Sequence, residues 1–183
     1  MPRKPRKVPP EGYLHITSRG NNRKRIFSSK QNKKIYYIYL QKLKKEENIN
    51  ICHYCIMDNH VHLLVKVKEK SNLSKFIKRI NLKYTSYYRS KYDYCGHLWQ
   101  GRFHSTIIDN ESYLLQCGKY IELNPIRARI VSSPEKYQFS SYSYYGFGQT
   151  DPLITPNPLY EDLSEKYKKR QQLYKNWILE KEI

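Results

Sequence analysis

Residues 51–67, ICHYCIM followed by DN and HVHLLVKV, constrain the fold more than any other stretch of the chain. Ile51 to Met57 is a short apolar run that reads as a buried strand. Asp58-Asn59 reads as a turn, and His60 to Val67 alternates as the hairpin partner. Within that partner, His60 and His62 are two residues apart, so both imidazoles project from one face. Val61, Leu63 and Val65 enter the opposite face. Two adjacent strands, with two imidazoles on one face, are thereby set locally.

The remaining elements fall around this hairpin. Tyr13 to Arg19 alternates, with Leu14 and Ile16 on one face, and ends at Gly20 and the polar turn Asn21-Asn22-Arg23. A helix follows, opened by the capping box Ser28/Gln31, with Ile35, Ile38, Tyr39 and Leu43 at helical spacing up to about Glu47. Asn72 caps a second helix whose stripe of Leu73, Phe76, Ile77, Ile80, Tyr84 and Tyr87 is opposed by Lys75, Lys78, Arg79 and Lys83, a candidate phosphate track. Arg102 to Ile108 reads as a fourth strand. Asn110 caps a third helix that runs to Asn124 and is stopped by Pro125. The fold class expected is α+β: a ferredoxin-like βαββαβ sheet, an additional C-terminal helix and a basic tail. Residues 1–12, opening MPRKPRKVPP, read as a flexible basic arm. Residues 13–133 form the main domain, and 134–183 an extension that is Tyr-rich and then helical from about Glu161 to Glu180.

Thirty-four Lys and Arg against 16 Asp and Glu give a formal charge of +18, which favours a polyanionic partner. Nineteen Tyr, many interleaved with Lys and Arg, suit stacking on unpaired bases. The sequence has no run approaching a membrane span and no signal-peptide core, so a cytoplasmic, DNA-associated protein without a membrane partner is expected. Cys52 and Cys55 form a CxxC inside a strand, where odd spacing points them to opposite faces. With Cys95 and Cys117, they read as structural thiols rather than zinc ligands.

On the third helix, Tyr113, Gln116, Tyr120 and Asn124 share one side, and Leu114, Gly118 and Ile121 share another. Tyr120 and Asn124, one turn apart, offer a phenol and an amide oxygen to the same cation. Imidazole with oxygen ligands suits Mg²⁺ or Mn²⁺ when phosphate completes the shell. An unperturbed phenol has a pKa of about 10, so a nucleophilic role for Tyr120 needs help with deprotonation. The bland alternative has Tyr120 packing and Asn124 ending the helix.

Residues 54–64, YCIMDNHVHLL, resemble the HUH motif of single-tyrosine transposases, and residues 119–128, KYIELNPIRA, resemble the YI-x-x-NP-x-RA signature of their REP-associated branch. Residues 17–23, TSRGNNR, and 99–103, WQGRF, resemble two further elements of that branch, in the family's order. The resemblance implies cutting and rejoining of single-stranded DNA near hairpins or palindromic repeats through a covalent 5′-phosphotyrosine. It makes Tyr120 the nucleophile and the additional helix its carrier, with His60, His62 and Asn124 as ligands of a divalent cation, Mg²⁺ or Mn²⁺. Arg19, Asn21, Asn22, Arg23 and Arg102 are the candidate DNA contacts, from motif position and donor chemistry. His104 departs from the family pattern and either is a plain strand residue or supplements the metal shell. Both monomer and homodimer are compatible. The rival readings are a non-catalytic single-stranded nucleic-acid-binding protein of this fold, and a replication-initiator or relaxase type of HUH nuclease.

Overall fold

The structure is a computed structural model that describes residues 8–69 and 71–180. Most of the expected basic arm, residues 1–7, lies outside the described residues. Four strands, β1 (Gly12–Arg19), β2 (Asn50–Ile56), β3 (His60–Val67) and β4 (His104–Ile108), form one antiparallel sheet in the order β2-β3-β1-β4. Helices α1 (Lys30–Glu46) and α2 (Leu73–Tyr92) follow β1 and β3, and α3 (Glu111–Arg127) follows β4. The α+β fold with a four-stranded antiparallel sheet is therefore as expected.

The two faces of the sheet carry different chemistry because alternate residues point opposite ways. Leu14, Ile16, Val61, Leu63 and Val65 bury themselves with Tyr36, Leu40, Phe76, Ile80 and Tyr84 of α1 and α2. On the other face a smaller core joins Cys55, Met57, Leu64 and Ile108 to Leu114, Cys117 and Ile121 of α3. Gly118 marks the closest approach: a Cβ there would meet His53 Nε2 at 2.8 Å, so the helix rests directly on β2. Beside this core, the same face of the two middle strands carries polar residues, His15, Thr17 and Arg19 of β1 and His60 and His62 of β3.

Several local expectations shift. Ser29, not Ser28, caps α1, its hydroxyl accepting from the Asn32 N–H at 3.1 Å; Ser28 is used in a turn, its N–H donating to the Arg25 carbonyl. Strand β4 starts at His104 rather than Arg102, because Gly101 takes a left-handed φ of 64° and turns the chain just before it. Helix α3 continues through Pro125 to Arg127. Proline removes only its own N–H, and the Ala128 and Ile130 N–H groups still close the next turn on the Asn124 and Pro125 carbonyls. Cys52 and Cys55 lie in the same α3-side core, not on opposite faces. A register shift between Ile51 and His53 is the cause, since a bulge adds a residue and resets alternation. Both thiols are buried and Cys95 is exposed. The expected phosphate track on α2 is halved: Lys75 and Arg79 are paired with Glu46 and Glu47 at the end of α1.

The extension packs on the domain. Short helices α4 (Tyr142–Phe147) and α5 (Pro158–Glu161) precede α6 (Tyr167–Leu179), which is shorter than the helix expected from about 161 to 180. The Ile56 N–H donates to the Phe139 carbonyl, Ser141 N–H to the Tyr54 carbonyl and Thr155 N–H to the Ile51 carbonyl, so the extension pairs with the outer edge of β2. Among the described residues no helix is long and apolar enough to cross a membrane.

Candidate active site

The sheet register assembles the site. Thr17 pairs with His62 on one side and His104 on the other, and Arg19 pairs with His60. Paired residues share a face, so His15, Thr17 and Arg19 of β1 stand with His60 and His62 on the face opposite Leu14 and Ile16. Helix α3 crosses this face and brings Tyr120 to it, 40% exposed. The Tyr120 ring lies edge-on to His62 at 5.6 Å between centroids and to His15 at 5.9 Å. The Arg127 guanidinium sits over the same phenol at 4.9 Å. Four elements, β1, β3, β4 and α3, thus converge on a cavity of about 890 Å³ lined by His15, Arg19, His62, Arg102, His104, Tyr113, Tyr120 and Arg127, among others.

Hydrogen bonds fix the imidazoles. The His60 Nδ1 lies 2.5 Å from Asn59 Oδ1, and Asn59 Nδ2 donates to the Arg23 carbonyl at 3.4 Å. The amide oxygen can only accept, so His60 carries its proton on Nδ1 and presents a lone pair on Nε2. His62 Nδ1 is 2.9 Å from His15 Nε2 and 3.2 Å from the Thr17 hydroxyl, which leaves Nε2 as the nitrogen outside these contacts. Burial, reinforced by Arg19, pulls His60 down to about 4. Burial, with His60, His15 and Arg19, pulls His62 down to about 2. Burial and His104 pull His15 down to about 4. All three rings are neutral at physiological pH, the form in which an imidazole nitrogen binds a cation.

This donor chemistry fits a divalent cation held partly by His60 and His62. Among the described residues no three His, Cys, Asp or Glu side chains form a complete cation site. Asn124 donates its Nδ2 to the Tyr120 carbonyl at 2.8 Å, which directs Oδ1 away from the helix backbone.

Of the residues singled out in the sequence, His62, Tyr120, Arg19, Arg102 and His104 line one cavity, and His60 adjoins His62 with ring centroids 4.8 Å apart. Asn124, Asn21, Asn22 and Arg23 are not among the residues lining it. Asn21 lines a separate depression with Arg89 and Trp99, and Asn22 and Arg23 both take left-handed φ in the turn after β1. Sequence assigned no role to His15, nor to Thr17, Asn59 and Arg127, which lie inside the motifs quoted above. His15 and Thr17 were available from the β1 alternation, because once Leu14 and Ile16 face the core their neighbours must face the site.

No curated protein matches this sequence. Among solved structures, a REP-associated tyrosine transposase bound to a REP hairpin superposes with a TM-score of 0.71 at 18% identity, covering 86% of this chain and 93% of that one. A proposed transposase from Deinococcus radiodurans aligns with a TM-score of 0.46 at 14% identity, over 73% of this chain and 96% of that one. The first likeness supports the fold. The sequence model described as "Transposase IS200 like" matches residues 10–124, more than half of the 183 residues, and the chain therefore belongs to the IS200-like transposase family.

Proposed function

We propose that this family member is a metal-dependent endonuclease and strand transferase that cleaves and rejoins single-stranded DNA beside hairpins or palindromic repeats. The observation that carries the reading is the convergence of Tyr120 on His62 and His15 at the mouth of a cavity bordered by Arg19, Arg102 and Arg127. Tyr120 Oη attacks the scissile phosphorus, forming a phosphotyrosine bond as the P–O3′ bond breaks and a 3′-hydroxyl leaves. The bond energy is kept for rejoining, when a 3′-hydroxyl attacks the phosphotyrosine and Tyr120 is released. His60, His62 and the Asn124 amide oxygen are the residues that would hold Mg²⁺ or Mn²⁺, whose charge would polarise the phosphoryl oxygens and balance the charge developing at phosphorus.

The remaining work falls to the chain itself. Asn59 and His15 hold the two imidazoles in fixed orientation, which spares the site reorganisation when DNA enters. Arg127 covers the phenol, and Arg19 and Arg102 offer guanidinium groups to the phosphate backbone. A DNA hairpin with unpaired flanks, labelled at its 3′ end, should yield a covalent protein–DNA adduct with Mg²⁺ or Mn²⁺, and Tyr120→Phe should remove it. Persistence of the adduct in Tyr120→Phe would overturn the assignment. Loss in Tyr113→Phe alone would move the nucleophile to the neighbouring phenol in the same cavity. Tight hairpin binding with no adduct in the wild type would favour the non-catalytic binding reading.

A further inference from the structure

A second cavity, of about 480 Å³, lies on the other side of Arg102, between α2 and the loop that leads into β4. Its helix side is built from Lys78, Asn81, Leu82 and Thr85, which fall on one face of α2 at three- and four-residue steps. Its loop side includes Trp99 and Arg102. The indole N–H of Trp99 donates to the Asn81 carbonyl at 3.1 Å and to the Thr85 hydroxyl at 3.0 Å, so the ring is braced as a wall. Leu82 stands on the helix side with 58% of its surface exposed, large for an apolar side chain with no covering element. The lining has two cations, Lys78 and Arg102, and no acid. The Asn81 side-chain oxygen is buried beside the braced indole without a hydrogen-bond partner.

We infer that this cavity is a subsite for one unpaired nucleotide of the strand whose phosphodiester lies at Tyr120. An aromatic and apolar lining with a cationic border matches a base attached to a phosphate, and stacking on an aromatic wall is tolerant of sequence. Arg102 lines both cavities, so a strand held at the first reaches the second past one shared guanidinium. The inference rests on the single-stranded DNA reading of the Tyr120 site. It adds a place, outside the cavity at Tyr120, where an unpaired flank is gripped.

Trp99 and Trp177 are the two tryptophans of the chain. Trp177 lies on α6 against Lys119. In the Trp177→Phe variant, Trp99 becomes the sole indole reporter. Adding an unpaired flank to a blunt DNA hairpin should quench its fluorescence and tighten binding by at least about fivefold, the lower end for one stacked base. An abasic nucleotide at one flank position should erase that gain. In Leu82→Asp, at an exposed position, the flank should no longer tighten binding and the abasic substitution should have no further effect. If the flank tightens binding with no quenching and no sensitive position, or if Leu82→Asp keeps the full gain, the subsite is wrong even where Tyr120 still forms its adduct. Quenching by an acidic peptide such as polyglutamate, but not by the flank, would instead make the cavity a protein-docking patch and overturn the inference. Failure of the wild type both to bind hairpins and to form an adduct would remove the underlying reading.

Discussion

His15 shows how much of the site depends on single side chains outside the two-histidine motif. Its Nε2 meets His62 Nδ1 at 2.9 Å, and its ring lies edge-on to Tyr120. For His62 to offer its Nε2 to a cation, Nδ1 must carry the proton, and His15 is then the acceptor that holds that tautomer. Partners of this kind affect metal affinity about 10- to 100-fold when removed. His15→Ala should accordingly raise the Mn²⁺ concentration for half-maximal adduct formation by about tenfold, and weaken Mn²⁺ binding to the DNA-free protein measured by electron paramagnetic resonance. Hairpin affinity without metal should stay close to wild type, because binding is spread over phosphate contacts. Unchanged Mn²⁺ binding in His15→Ala would reduce His15 to a packing residue.

At the scale of elements, the β2–β3 hairpin was the most legible part of the fold, and its anchoring was the least. Alternation in HVHLLVKV gave the strand, its faces and the shared side of His60 and His62, because period two is a purely local property. The ion pairs that pin the turn are not local: Asp58 accepts from Lys33 Nζ on α1 and Arg25 Nη2 in the loop after β1, each at 2.6 Å. The bulge that brought Cys52 to the α3 side, and the passage of α3 through Pro125, were equally hidden, since each is decided by what the element packs against. Burial raises the Asp58 carboxyl, but the hydrogen bonds from Lys33 and Arg25 outweigh it and hold the group below its ordinary range. A depressed carboxyl stabilises the fold above its unfolded value of about 3.9, and the contribution disappears as the pH falls through the folded value. Asp58→Asn should therefore cost about 2 kcal/mol at neutral pH, a drop in Tm of about 4–8 °C for a chain this size. The gap between wild type and variant should narrow in acid scans below about pH 4. A gap that is constant down to pH 2 would mean that the ion pairs contribute nothing.

The whole molecule is held together through the helix that bears Tyr120, and this was invisible in the sequence because the partners lie far apart along it. Glu122, fully buried two residues after Tyr120, sits opposite His53 of β2 at 2.9 Å and accepts from the Ser141 hydroxyl at 2.5 Å and the Tyr174 phenol at 2.8 Å. Lys119, one residue before Tyr120, donates to the carbonyls of Trp177 and Glu180 at the end of the extension. Tyr145, Tyr160, Tyr174 and Ile178 meanwhile join the main core from the extension side. Residues 134–180 are thus coupled to the face that carries Tyr120 by packing and by polar contacts on both sides of the proposed nucleophile. A buried carboxylate with three partners destabilises the fold when deleted because the partners are left in a dry site without an acceptor. Glu122→Ala should lose about 3–5 kcal/mol in urea unfolding. Tyr174→Phe should lose less, and the double variant should fall short of the sum, since both remove the same contact. If the two losses add within about 0.3 kcal/mol, Glu122 and Tyr174 act independently, and the extension is tied to the Tyr120 helix by apolar packing alone.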